Sequence, residues 1–101
     1  MQYLPWGGKT YQLEPNNGPN HLHGCFNRKL YRVKSFGDTP AHGAESPDGE
    51  DGFPGNLKIA VRYTLTEDNA FRMDYRVSSD ADTIVNLTNH SYFNLDAAAT
   101  C

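Results

Sequence analysis

Leu57-Lys-Ile-Ala-Val-Arg-Tyr-Thr-Leu-Thr-Glu-Asp-Asn-Ala-Phe-Arg-Met-Asp-Tyr-Arg-Val77 decides the fold class of this chain. Leu57, Ile59, Val61, Tyr63 and Leu65 alternate with Lys58, Arg62, Thr64 and Thr66, and Phe71, Met73, Tyr75 and Val77 alternate with Arg72, Asp74, Arg76 and Ser78. Successive side chains of an extended backbone point to opposite faces, so this period of two predicts two strands, each with one apolar and one wet side. Glu67-Asp-Asn-Ala70 between them is a turn, which makes the pair an antiparallel hairpin. The Arg and Asp side chains that face each other on the wet side are expected to pair weakly at the surface.

Downstream, Ser79-Asp-Ala-Asp82 turns the chain again, and Thr83-Ile-Val-Asn-Leu-Thr88 is predicted to start a further strand. Upstream, Lys29-Leu-Tyr-Arg-Val-Lys34 alternates as a strand, and Lys9-Thr-Tyr-Gln-Leu13 is a short strand entered through a Gly7-Gly8 turn. Glu14-Pro-Asn-Asn-Gly-Pro-Asn20 is a loop by its turn chemistry. Ser35 to Asn56 holds five Gly, three Pro and five acidic residues and reads as one long loop, functional or mobile. Within it, Ser46-Pro-Asp-Gly-Glu-Asp-Gly-Phe-Pro-Gly55 lacks the acidic spacing and the distal Glu of a calcium loop, so it is expected to be a solvated turn cluster. No segment has a helical period, and several short strands must bury one face against another sheet. The expected fold is all-β, part of an antiparallel sandwich with curved sheets.

At 101 residues the chain is one domain at most, and a chain of this size buries roughly 65% of its unfolded surface. Leu, Ile, Val and Phe number only 19, but a net charge of -3 is too small for the signature of disorder. Nine Lys and Arg against twelve Asp and Glu, with no basic block, argue against a nucleic-acid surface and for an uncharged ligand. Cys25 and Cys101 do not make a disulfide framework, which suits a reducing compartment. No run has the length of a membrane span, and Met1-Gln-Tyr-Leu-Pro-Trp6 lacks the pattern of a signal peptide, so a cytoplasmic protein is expected, with a frayed end at Ala97-Ala-Ala-Thr100.

Chemistry concentrates in Asn86-Leu-Thr-Asn-His-Ser-Tyr-Phe-Asn-Leu95, whose three Asn, one Ser, one Tyr and His90 exceed what a half-buried strand needs. An imidazole exchanges a proton near neutral pH, which makes His90 the candidate for acid–base work. The plainer reading is that Leu87, Tyr92, Phe93 and Leu95 pack a core while the Asn side chains fix turns. His21-Leu-His23, if extended, puts two imidazoles on one face at a pocket rim, and the competing reading is two exposed loop histidines. A metal site completed by His42, His90 or a carboxylate is the weaker option, because H-x-H alone is not a known zinc spacing and no metal is expected.

Four segments, Gly8-Lys-Thr-Tyr-Gln-Leu13, Asn16-Asn-Gly-Pro-Asn-His-Leu-His-Gly24, Ser46-Pro-Asp-Gly-Glu-Asp-Gly-Phe-Pro-Gly-Asn-Leu57 and Thr88-Asn-His-Ser-Tyr-Phe-Asn-Leu95, resemble the galactose mutarotase (aldose 1-epimerase) family, in family order and through nearly the whole chain. The resemblance implies a galactose mutarotase-like β-sandwich of which residues 1–101 are a partial domain, its front-middle portion. It implies interconversion of the α and β anomers of free aldoses such as galactose and glucose, with no metal and no organic cofactor. Ring opening removes the O1 proton while the ring oxygen receives one, so an acid and a base must flank the sugar. By resemblance His90 is the acid and His23 contacts the sugar.

The family's glutamate base, its sugar-binding aspartate and its upstream Asn-Arg pair have no match here, and Cys25 stands where the family usually continues with a second Gly. This chain alone is therefore expected to be weak or inactive. The alternative function is a non-catalytic carbohydrate-binding or regulatory β-sandwich module. A third expectation is that a partial sandwich exposes strand edges and an apolar face and does not fold alone.

Overall fold

The computed structural model describes residues 2–36 and 39–96, so the expected tail at Ala97–Thr100 and Cys101 lie outside the described residues. In chain order it has β1 (Tyr3–Trp6), β2 (Lys9–Gln12), a 3-10 turn (Phe26–Arg28), β3 (Arg32–Phe36), β4 (Thr39–Ser46), a second 3-10 turn (Glu50–Gly52), β5 (Leu57–Leu65) and β6 (Phe71–Ser79). All strand pairs are antiparallel: β1 with β2, and β3-β4-β5-β6 as one four-stranded meander. The fold is all-β, as the alternation predicts.

The β5–β6 hairpin carries the register that the sequence dictates, with Ile59 opposite Val77, Val61 opposite Tyr75 and Tyr63 opposite Met73. Its turn is held by Thr66, which hydrogen-bonds Asp68 and the Ala70 amide, and by Asn69 at φ 63, a left-handed value that Asn tolerates. On the wet face Arg62 reaches across to Asp74 at 3.2 Å, and Arg72 meets the same carboxylate at 2.8 Å. The hydrogen bond from Arg72, reinforced by Arg62, holds the Asp74 carboxyl below its usual range.

Three sequence readings are corrected. First, the long loop expected over 35–56 contains β4, a central strand of the sheet. Its composition hid it: Ala41, Gly43, Ala44 and Ser46 are all buried, and small residues rather than β-branched ones fit there. A Cβ on Gly43 would lie 2.8 Å from the Lys34 stem, so the lysine crosses this strand only because position 43 has no side chain. Second, Lys29–Tyr31 precede β3 instead of belonging to it, because Lys29 ends the 3-10 turn. Third, Thr83–Thr88 forms no strand among the described residues. β6 is the edge of the meander, and no ladder partner lies beside the segment.

The stretch before the Gly7-Gly8 turn, to which the sequence reading assigned no strand, contributes β1 at Tyr3–Trp6. Gly7 and Gly8 both have positive φ, 57 and 75, which suits the primed two-residue turn whose twist matches paired strands. The Leu13 amide, donating to the Gln2 carbonyl at 2.6 Å, closes the open end of the hairpin, and the next residue docks it: the Glu14 amide donates to the Asp51 carbonyl at 2.9 Å.

The buried apolar set is small: Leu13, Ala41, Ala44, Ile59 and Val61. The chain exposes 7790 Å², against about 5,700 Å² for a closed monomer of this mass. Its radius of gyration is 16.5 Å, against about 13 Å for a compact chain of this length. The meander is thus one open layer, its apolar face only partly covered by the segments 23–31 and 83–91. Leu65 at the hairpin end is 84% exposed.

Candidate functional site

An open cavity of about 650 Å³ lies over the apolar face of the meander. Its floor is Ile59, Val61 and Tyr63 from β5 and Tyr75 from β6; its walls are the 23–31 stretch and residues 87–91. Tyrosine, asparagine, histidine, threonine and serine supply the polar groups, and no carboxylate is among the described lining residues. Burial pushes the Tyr31 and Tyr75 hydroxyls above their usual range, with further raising from Tyr63, so these two hydroxyls stay protonated donors at neutral pH.

His23 and His90 meet at the rim of this cavity. Their ring centroids are 5.2 Å apart with planes at 87°, and Tyr92 stands against the other side of His90 at 5.4 Å and 74°. His90 is set by an Asx turn in which the Asn89 side-chain oxygen accepts the Ser91 amide at 2.9 Å, bending the backbone around the histidine. Asn89 of this block therefore does fix a turn, but the block's apolar residues do not make a core. Tyr92 is 89% and Leu95 93% exposed.

His21 and His23 do not share a face. His23 has φ 67 and Gly24 φ 68, so the chain kinks at the second histidine and the two rings part. The His21 Nδ1 donates to the Glu14 carbonyl at 2.6 Å, and its ring stands edge-on to Phe53 at 5.4 Å, a structural role. The imidazole pair of this protein is thus His23 with His90. His42 lies on β4 with its ring 5.8 Å from Tyr63. Among the described residues no three of His, Cys, Asp and Glu come together as a metal cluster.

One positioning residue was not legible in the sequence. Asn16 grips the Leu22 backbone from both sides, its side-chain amide donating to the Leu22 carbonyl at 2.9 Å and its oxygen accepting the Leu22 amide at 2.7 Å. This fixes the approach to His23. Three Asn in a loop point to turn chemistry without saying which one clamps a remote residue. On the other side, Asp80 accepts the Asn56 amide and side chain, both at 2.7 Å, and pins the root of the segment that ends at His90. Those two bonds hold the Asp80 carboxyl below its usual range.

The aldose 1-epimerase family model matches residues 4–101. Galactose mutarotase of Bos taurus is 46% identical over 91 residues, covering 87% of this chain and 26% of that protein. The aldose 1-epimerase of Haemophilus influenzae is 40% identical over 94 residues, covering 90% of this chain and 28% of that protein. Among solved structures, an aldose epimerase homologue from C. elegans superposes with a TM-score of 0.83 at 33% identity, over 96% of this chain and 31% of that one. The chain spans little more than a quarter of the length of these curated relatives. No helix among the described residues is long and apolar enough to cross a membrane. With the family model matched over nearly its whole length and a relative's fold shared throughout, the chain belongs to the aldose 1-epimerase family.

Proposed function

We propose that this chain forms the acid-side wall of a cytoplasmic aldose 1-epimerase site for free hexoses such as galactose and glucose, in a partial domain of the family fold. His90 donates a proton to the ring oxygen as the C1–O5 bond breaks. The O1 proton leaves to a base, C1 becomes a carbonyl, and reclosure on either face gives either anomer. His23 orients the sugar by hydrogen bonding. The observation that carries this reading is the edge-on contact of His23 with His90 over a cavity lined by imidazole, phenol, amide and hydroxyl side chains, groups that hydrogen-bond a polyol.

The same cavity has no carboxylate among its described lining residues, so these residues supply the acid and not the base. Each member of such a pair contributes roughly 10²- to 10⁴-fold, and this chain by itself is expected to turn over slowly or not at all. That absence also favours a second reading, a sugar-binding module without catalysis. Titrating the folded chain with galactose while following the imidazole signals of His23 and His90 tests the site. Both signals are expected to move, and neither moving would refute a hexose site. Polarimetry of fresh α-D-galactose then divides the two readings: a rate above the spontaneous one supports catalysis, and binding at the spontaneous rate supports the module.

A further inference from the structure

His23 occupies a left-handed backbone conformation that a β-carbon disfavours, and Gly24 continues it. Such a kink persists only when its flanks hold it. Upstream the hold is the Asn16 grip on Leu22. Downstream, Cys25 opens the 3-10 turn that ends at Lys29, and both residues converge on the end of β4. The Cys25 sulfur lies 3.7 Å from the Ser46 hydroxyl, which in turn donates to Glu50. The Lys29 ammonium lies 2.7 Å from one Glu50 oxygen and 2.6 Å from the other.

This cluster is part-buried: Ser46 is buried, and the Lys29 and Glu50 side chains are 17% and 29% exposed. Desolvation alone would raise the Glu50 carboxyl, but the hydrogen bonds from Lys29 and Ser46 and the lysine's charge outweigh it and hold the carboxyl below its usual range. Burial pushes the Cys25 thiol up, so it stays neutral and serves as a packing neighbour.

We propose that Glu50 is a positioning residue for His23, tying the 25–29 turn to the end of β4 so that the His23 ring stays edge-on to His90. It touches neither ring nor cavity and acts through Lys29 and Ser46. The proposal deepens the hexose reading, since it concerns the same site, but the ring arrangement is measurable without sugar. In the full chain, Glu50→Ala is expected to erase the nuclear Overhauser cross-peak between the His23 and His90 rings and to weaken galactose binding about tenfold or more. The backbone signals of β4–β6 should persist, and Glu50→Gln, whose one carbonyl oxygen can replace the carboxylate oxygen that both Ser46 and Lys29 reach, should restore the cross-peak.

A purely structural role would lower the melting temperature and leave the rings together. A folded Glu50→Ala chain with the wild-type cross-peak therefore overturns the proposal. If that variant does not fold, Lys29→Met, which leaves the Ser46 bond to Glu50 in place, is read in the same way, and a wild-type cross-peak there overturns it equally. A wild-type chain that shows the cross-peak but no response to galactose refutes the hexose reading alone, and the cross-peak of the variants still decides the role of Glu50.

Discussion

Gly52→Ala is expected to undock the β1–β2 hairpin from the turn after β4. Gly52 has φ 88, and a Cβ there would overlap the Gln12 carbonyl oxygen and lie 2.8 Å from its carbon and 3.0 Å from the Leu13 Cα. These are backbone atoms, which no rotamer change can move aside. Alanine at a left-handed φ costs about 1–2 kcal/mol. Driving the hairpin away breaks the Glu14–Asp51 backbone hydrogen bond, about 1 kcal/mol, and strain in whatever contact survives adds about 1–3 kcal/mol. A loss of about 3–6 kcal/mol is a large share of the 5–15 kcal/mol typical of a folded domain. Urea unfolding followed by circular dichroism and by Trp6 emission measures it, because Trp6 is the only tryptophan and lies on the hairpin. A midpoint unchanged within 1 kcal/mol, with an unchanged Trp6 spectrum, would refute the docking argument.

Ile59→Ala removes one of the few buried side chains from the cavity floor and is expected to cost about 2–3 kcal/mol, the low end for such truncations because the open cavity lets neighbours relax; chemical denaturation measures it. Glu50 and Asp80 have folded-state pKa values below their unfolded ones, so the stability they contribute is complete above the ordinary carboxylate value of about 4 and falls as the pH drops through the folded values. Acid titration is expected to release the 25–29 turn and the root of the 81–96 segment in that window, visible in amide exchange. Asn89→Ala removes the Asx bond to the Ser91 amide and is expected to broaden the His90 signals with little change in melting temperature; sharp, unshifted His90 signals would show that Tyr92 and His23 hold the ring without it.

The parts of the fold legible in the sequence are those in which one strand carries its own contrast of faces. The sequences of β5 and β6 alternate apolar with polar residues, and the apolar side of β5 carries the buried Ile59 and Val61 beneath the cavity. β4 was illegible because its residues are chosen by what crosses them: Gly43 admits the Lys34 stem, and Ala41 sits between Lys34 and Arg62 in the ladder. The site divides in the same way. The His-rich and Asn-rich blocks mark His23 and His90 as chemistry-bearing residues, but a left-handed turn at a histidine has no local signature, so the pairing of His21 with His23 had to yield to that of His23 with His90. Nor does an isolated Asn16 or Glu50 announce a partner several residues away.

Among the described residues the stretch from Thr83 to Leu95 joins no ladder, and that shapes how this rim responds to substitution. The height and tilt of the His90 imidazole are set by a carboxylate latch at one end, an Asx bend beside the ring, and aromatic neighbours. Each can be altered singly without forcing the meander to slip by a residue, a shift that would turn every floor side chain to the opposite face. Fine adjustment of the rim is therefore uncoupled from the lattice of main-chain bonds beneath it.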